Sequence, residues 1–240
     1  MARLHYLTPL KSIRDEKMTC IEKNSTVRQR DKETYAVVPH VPCGVVTPET
    51  LRKIADVSEK YDAAALKITS AARIAIVGVK EEDLPEIWGE LGMAPGQAIG
   101  KVVRSIKACP GTTFCALAKQ DALTLGMTLD EKYHGMELPS KTKMGVSGCA
   151  NQCAENCIKD ISLAGTKNGW TLMAGGVGTG RPRLADVFAE ELSTEEALEL
   201  FDRLLGFYKE NAKKVERMGR MIDRLGLDAV KAAVLGEKAA

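Results

Sequence analysis

The chain has 240 residues, of which 45% are hydrophobic and 28% charged, with a net charge of +2. This is the profile of an ordinary globular protein, too balanced in charge to point to nucleic acid. No apolar run approaches the roughly 20 residues that cross a bilayer, and the first residues lack the apolar core and cleavage site of a signal peptide, so a cytoplasmic protein with no membrane partner is expected. Seven cysteines, several in local pairs, then argue for metal or redox chemistry rather than a disulfide framework.

Residues 1–33 are polar and mixed in charge and read as an arm, with Cys20 a plain thiol. From Tyr35 to His40 the pattern is a strand. Thr47-Pro48 gives an N-cap followed by proline in the first turn of a helix, which carries Leu51, Ile54, Ala55 and Val57 to about Tyr61. Ala63–Thr69 and Arg73–Val79 are β-rich, and Glu81–Leu91 is a second helix with acids in its first turn. This β-α-β-β-α order over residues 34–92 describes most of a ferredoxin-like unit. Cys43, at the turn before the first helix, reads as a buried thiol.

Met93–Gly100 is the best internal boundary. Beyond it, residues 100–190 form a second α+β domain. Lys101–Lys107 is a strand running into Cys109, and a helix opening at Thr112 or Thr113 carries Cys115 and ends at Gly126. Met144–Ser147 is extended, Ala150–Ile158 is helical, and two strands flank the turn Lys167-Asn168-Gly169. Gly175–Arg183 is glycine-rich and basic, but it lacks the strand-turn-helix context of a dinucleotide fingerprint. Ser193-Thr-Glu-Glu196 is a capping box opening a helical tail over residues 193–240, whose methionines recur at core spacing.

The thiols fall into two pairs, Cys109 with Cys115 and Cys149 with Cys153. Four sulfurs in two pairs can hold one inorganic centre. Spacing admits a 4Fe–4S cluster, a structural zinc ion or unligated thiols, and the five-residue gap in the first pair counts against zinc.

The two gaps together, with the second pair set in Ser147-Gly-Cys-Ala-Asn-Gln-Cys153, resemble the cofactor region of the sirohaem-dependent sulfite and nitrite reductases. The resemblance runs from about Tyr35 to Gly175. It implies that Cys109, Cys115, Cys149 and Cys153 hold a 4Fe–4S cluster and that Cys153 also bridges to a sirohaem iron, leaving Cys157 without a ligand role. It further implies that Lys141 and Lys143, at strand spacing, and Arg104 face an oxyanion, sulfite or nitrite. By register the family's remaining arginine falls on Ala71, so Arg73 or Lys67 would have to replace it. Asn151 and Gln152 are candidate donors to the cofactors, and Arg181 and Arg183 candidate partners for sirohaem carboxylates.

The implied reaction is six-electron reduction of sulfite to sulfide, with nitrite to ammonia as the alternative. A non-catalytic electron carrier or sensor is the reading from another class, and the lysine pair with Arg104 favours an enzyme over it. No flavin or nicotinamide fingerprint is present, so electrons are expected from an external carrier such as a ferredoxin. The chain holds one copy of a unit that larger family members carry twice, which makes a homodimer the natural way to complete the site.

Overall fold

A computed structural model describes residues 24–236. Cys20 and most of the arm lie outside the described residues. Two sheets organise the molecule. The first is antiparallel, in the order β1-β2-β4-β3, from β1 (Thr26–Arg28), β2 (Thr34–Val37), β3 (Ala65–Ile68) and β4 (Ile74–Lys80). Its helices are α1 (Pro48–Lys60) and α2 (Leu84–Leu91). Thr47 caps α1 by accepting from the Thr50 amide, as the Thr-Pro pair predicts. Ile54 and Val57 of α1 and Ile87, Trp88 and Leu91 of α2 pack on Val37, Ile76 and Val79 of the sheet. The short strand β1 falls within the stretch that the sequence marked as the arm.

The second sheet has the order β5-β6-β7-β8-β9. β5 (Val103–Ala108), β6 (Thr142–Ser147) and β7 (Ile161–Thr166) run parallel, and β8 (Gly169–Ala174) and β9 (Asp186–Leu192) complete it in antiparallel fashion. β9 was not expected, because its acidic residues break the apolar signal of a strand. Between β5 and β6 lie a single helical turn, α3 (Gly111–Phe114), and the longer α4 (Ala122–Tyr133). The expected helix through Cys115 to Gly126 is therefore corrected. The chain leaves α3 with Cys115 extended at φ −111° and ψ 120°, and Gly126 sits inside α4. A Cβ on Gly126 would lie 2.5 Å from Ala108, so glycine is there for close packing of α4 on β5 rather than to end a helix.

At the C-terminal end, α5 (Thr194–Asn211) opens with the predicted capping box between Ser193 and Glu196, and α6 (Met218–Leu225) and α7 (Leu227–Leu235) follow. These helices are part of the core rather than an appendage. Phe201, Leu204, Tyr208, Met218, Met221 and Ile222 are buried in one cluster with Met144, Ile161, Leu163, Trp170 and Leu172 of the sheet. Among the described residues no helix is long and apolar enough to cross a membrane.

Candidate cluster and anion site

The four thiols expected to act together lie on two loops that leave the same ends of neighbouring parallel strands. Cys109 follows β5 and Cys149 follows β6. The loops are stitched at Gly148, whose carbonyl accepts from the amides of Lys119 (2.6 Å) and Gln120 (3.1 Å). A Cβ at Gly148 would stand 2.7 Å from the Gln120 carbonyl oxygen, so any larger residue would prise the loops apart. The Gly148 amide donates to Cys109 Sγ at 3.1 Å, so the same glycine that joins the loops also orients the first thiol.

The expectation of a helix over Ala150–Ile158 is corrected. Gln152 (φ 48°) and Glu155 (φ 60°) are left-handed, and only Asn156–Ile158 forms a helical turn, of the tighter 3₁₀ type. Cys149, Cys153 and Cys157 therefore do not share a helix face. A buried polar network fixes the loop instead. Ser147 Oγ bonds Asn156 Oδ1 and accepts from the Ala154 amide at 3.0 Å, Asn156 Nδ2 donates to the Leu163 carbonyl at 2.7 Å, and Ser162 Oγ donates to the Asn156 carbonyl at 3.1 Å. In the sequence Ser147 stands out only as the first residue of the quoted motif and Asn156 not at all, and the Cys-x3-Cys spacing carries no trace of their role.

All six described cysteines are free. Cys109, Cys115 and Cys149 are half-buried, Cys153 is exposed, and Cys43 is buried against α4, with burial and then Asp130 holding its thiol protonated. Among the described residues, the group of three or more metal-type ligands whose ligating atoms lie within 4.8 Å of one another is His40, Asp130 and His134. No three of the thiols meet that spacing, whereas a tetrahedral zinc with Zn–S of about 2.3 Å holds its sulfurs about 3.8 Å apart. Four thiols on two stitched loops are the donor set of an iron–sulfur cluster, and they are spread more widely than one zinc ion would hold them.

The basic residues converge elsewhere, at the starting ends of the same strands. A cavity of about 190 Å³ is lined by Arg73, Arg104, Ser105 and Lys143, with Val38, Thr69, Ser70, Ala71 and Ala98. It lies where the turn between β3 and β4 meets the second sheet. The β5–β6 register skips at this point, with Val103 opposite Thr142 and Ser105 opposite Lys143. Arg104 is the extra residue of a bulge, a device that re-aims a side chain.

No carboxylate lines this cavity. Arg73 is only 6% exposed, and its Nε and Nη1, like Arg104 Nε, are buried without a partner among the described residues. Burial, then the charge of Arg104, pushes Arg73 down to about 10. Burial, then Lys159, Arg104, Arg217 and Lys141, lowers Lys143. Unpaired buried cations are costly, and an anion satisfies them through short charge-assisted hydrogen bonds.

The other candidates are placed differently. Lys141 opens onto a neighbouring cavity of about 420 Å³ with Lys101, Arg217 and Arg220. Lys67 is exposed and its Nζ donates to the Ile68 carbonyl, away from the anion cavity. Asn151 is exposed beside Cys153, and Gln152 is half-buried. Arg181 is exposed, whereas the Arg183 guanidinium is occupied by Asp186 (2.6 Å), Asp223 (2.9 Å) and two carbonyls. Asp160, fully buried, was not foreseen. It accepts from both Arg217 nitrogens (2.7 and 2.6 Å) and from the Lys143 amide (2.7 Å), so it locks the start of β6 to the helical C-terminal region.

Thiols on two stitched loops and a carboxylate-free cationic cavity are the donor sets that a metallo-redox protein acting on a small anion would use. The chain matches the family described as "Nitrite and sulphite reductase 4Fe-4S domain" over residues 99–240, and the "Nitrite/Sulfite reductase ferredoxin-like half domain" over residues 27–94. It is similar to an assimilatory-type sulfite reductase of Nitratidesulfovibrio vulgaris, 43% identical over 90% of this chain and 99% of that one. It is also similar to a nitrite reductase [NAD(P)H] of Bacillus subtilis, 41% identical over 84% of this chain but only 25% of that one. In fold it resembles dissimilatory sulfite reductase I, with a TM-score of 0.76 at 16% identity over 86% of this chain and 70% of that one. The NirA protein of Mycobacterium tuberculosis gives a TM-score of 0.75 at 19% identity, over 85% and 40%. The chain belongs to the nitrite and sulphite reductase family and is an oxidoreductase of the α+β, ferredoxin-like architecture expected of it.

Proposed function

We propose that the protein is an assimilatory-type sulfite reductase, taking sulfite to sulfide with electrons from an external carrier such as a ferredoxin. The observation that carries this reading is the buried cavity in which Arg73, Arg104 and Lys143 meet with unpaired guanidinium nitrogens and no carboxylate. It is a receptacle for a small oxyanion. The near full-length match to an assimilatory-type sulfite reductase favours sulfite over nitrite.

Cys109, Cys115, Cys149 and Cys153 would hold the 4Fe–4S cluster, with Cys153, the exposed member, shared with sirohaem, and Asn151 and Gln152 beside it. Bound, the pair would supply stepwise electron delivery and an iron to which the anion binds. The chain's own part is electrostatic. Arg73 and Arg104 neutralise the anion and orient it, in a site whose burial strengthens every such interaction. Lys143, depressed below an ordinary lysine by burial and neighbouring cations, is a better proton donor near neutral pH, and suits general acid catalysis as oxygen leaves. Lys141, Lys101 and Arg220 line a second basic cavity suited to carboxylates of a tetrapyrrole, a role for which Arg181 is free and Arg183 is not.

The anion cavity and the cysteines sit at opposite ends of β5, with Cys109 five positions beyond Arg104, about 16 Å of extended chain. This separation supports a homodimer in which the cations of one copy serve the thiols of its partner. Turnover with a reduced viologen dye tests the whole reading. Sulfide from sulfite is expected. Ammonia from nitrite without sulfide would move the protein to nitrite reduction, and neither product would leave an electron carrier. An active monomer in sedimentation would remove the dimer alone.

A further inference from the structure

Within electrostatic reach of Arg73, but not lining the anion cavity, are the clustered His40, Asp130 and His134. His40 follows β2, Asp130 is on the last turn of α4, and His134 caps that helix. The two imidazoles stack with centroids 3.5 Å apart and planes 19° from parallel. His40 Nε2 meets Asp130 Oδ2 at 2.7 Å, and His134 Nε2 meets the Pro95 carbonyl at 3.0 Å. A carbonyl and an ionised carboxylate can only accept, so each imidazole carries its proton on Nε2. Both Nδ1 atoms are then bare lone pairs. They and Asp130 Oδ1 are buried without a partner, and Asp130 is 4% exposed. Three unpaired acceptors and no donor make a site short of one proton or one cation.

Arg73 joins this cluster to the cavity. The Gly96 amide donates to Val38 O at 2.9 Å and the His40 amide to Ala94 O at 2.7 Å, and the Arg73 side chain packs on this bridge, 3.0 Å from where a Cβ on Gly96 would stand. His134 and Asp130 both lie within the field of Arg73. The remaining charged or titratable groups around the cluster are Arg104 from β5, which acts on Arg73, and the buried Cys43 thiol, which feels Asp130. Lys143 faces Arg73 and Arg104 from β6. A metal ion suits the cluster poorly. In nearly parallel rings the in-plane lone pairs run side by side instead of converging, and the Arg73 cation is close by.

With neutral histidines, Arg73, Arg104 and Lys143 against Asp130 leave an excess of positive charge that an entering anion reduces. We propose that the cavity captures its anion together with one proton, held on the stacked His40–His134 pair beside Asp130, making the cluster a proton-loading, positioning group for Arg73. The proton comes from solvent, and its arrival turns an acceptor-only cluster into a donor–acceptor pair. Burial, then His40, holds His134 below the ordinary histidine range while the cavity is empty. By reciprocity, an anion that promotes protonation binds more tightly as pH falls through that range.

The inference rests on the reading of the cavity as an anion site, and the test separates the two. Nitrite is the probe because it stays a monoanion across the histidine range, whereas sulfite itself titrates there. Its binding to the cofactor-loaded enzyme is followed by the visible spectrum and by calorimetry in buffers of contrasting ionisation enthalpy, between roughly pH 5.5 and 7.5. Wild type is expected to take up between about half and one proton per nitrite, with Kd falling as pH falls by at most about tenfold per unit. His134→Gln and the near-isosteric Asp130→Asn should bind nitrite with uptake near zero and a flat pH profile. Normal binding with no uptake in wild type, or the same uptake in both variants, overturns the proton-loading role and leaves the cavity intact as an anion site. A stoichiometric metal ion in wild type that is absent from Asp130→Asn overturns it in favour of a metal site, and absence of nitrite binding removes both readings together.

Discussion

Replacing Asp160 with asparagine keeps the volume of the side chain and deletes its charge. In the native chain this fully buried carboxylate takes two hydrogen bonds from Arg217 and one from the Lys143 amide. The amide can still accept, but its nitrogen then faces one of the three donors, and Arg217, itself mostly buried, loses its counter-charge. Breaking a buried pair from one side costs about 3–5 kcal/mol, because an uncompensated charge is left behind. At about 2–4 °C per kcal/mol for a chain of this size, the expected fall in Tm is about 6–20 °C, read by thermal unfolding with matched cofactor content. The same change frees the first residue pair of β6, so anion affinity should fall with stability. The control is Asp160→Leu with Arg217→Met, which removes both charges and should recover much of the loss. A fall of under about 1 kcal/mol in Asp160→Asn, or a double variant as unstable as the two single changes summed, would refute the reasoning.

Cys153→Ser is expected to lose iron, labile sulfide and sirohaem, whereas Cys157→Ser keeps all three; equal loss in both would show that the wrong thiol has been assigned. Because Lys143 loses its proton at a lower pH than an ordinary lysine, anion affinity should decline on the alkaline side as pH rises through that lowered value, and Lys143→Arg should remove the decline while Lys143→Met weakens binding at every pH. Arg224 holds the Glu216 carboxyl down to about 2 through hydrogen bonds of 2.9 and 2.7 Å. This stabilisation is complete above an ordinary glutamate's range and is lost as pH falls from about 4.5 towards 2. Arg224→Gln should therefore lower Tm at neutral pH, by an amount that shrinks as pH falls towards and below 2.

Much of the scaffold is legible in the chain because it follows from local rules. Thr47 and Ser193 announce their helices by capping chemistry, and the cores of β4, β7 and β8 read as short apolar runs. The cysteine loops do not, because their conformation is set from outside. The stretch Ala150–Ile158 has helical composition, but Ser147 and Asn156 bond it into a shape with two left-handed residues. The bulge at Arg104 has no sequence mark, since it arises from the pairing of β5 with β6. Arg73 was legible only as a substitute for a missing arginine. What places it in the cavity is the packing of the first sheet against the second, a contact between residues far apart in the chain. The fully buried Asp160 was invisible for the same reason, its partner Arg217 lying 57 positions away.

The parallel pair β5–β6 also acts as a ruler. Lys143 stands at its beginning and the Gly148 stitch just past its end, and the spacing between them is counted in whole residues. One residue more or less in β6 turns every later side chain to the opposite face unless a bulge takes it up, as one does at Arg104 in β5. A single insertion in β6 would move Gly148 out of reach of Lys119 and Gln120, and would exchange the inward and outward residues between. Length changes are taken up most readily in turns, for example Lys167–Gly169 between β7 and β8. Anion handling and thiol placement can be altered by substitution, one at a time, but an insertion or deletion in β6 disturbs both at once.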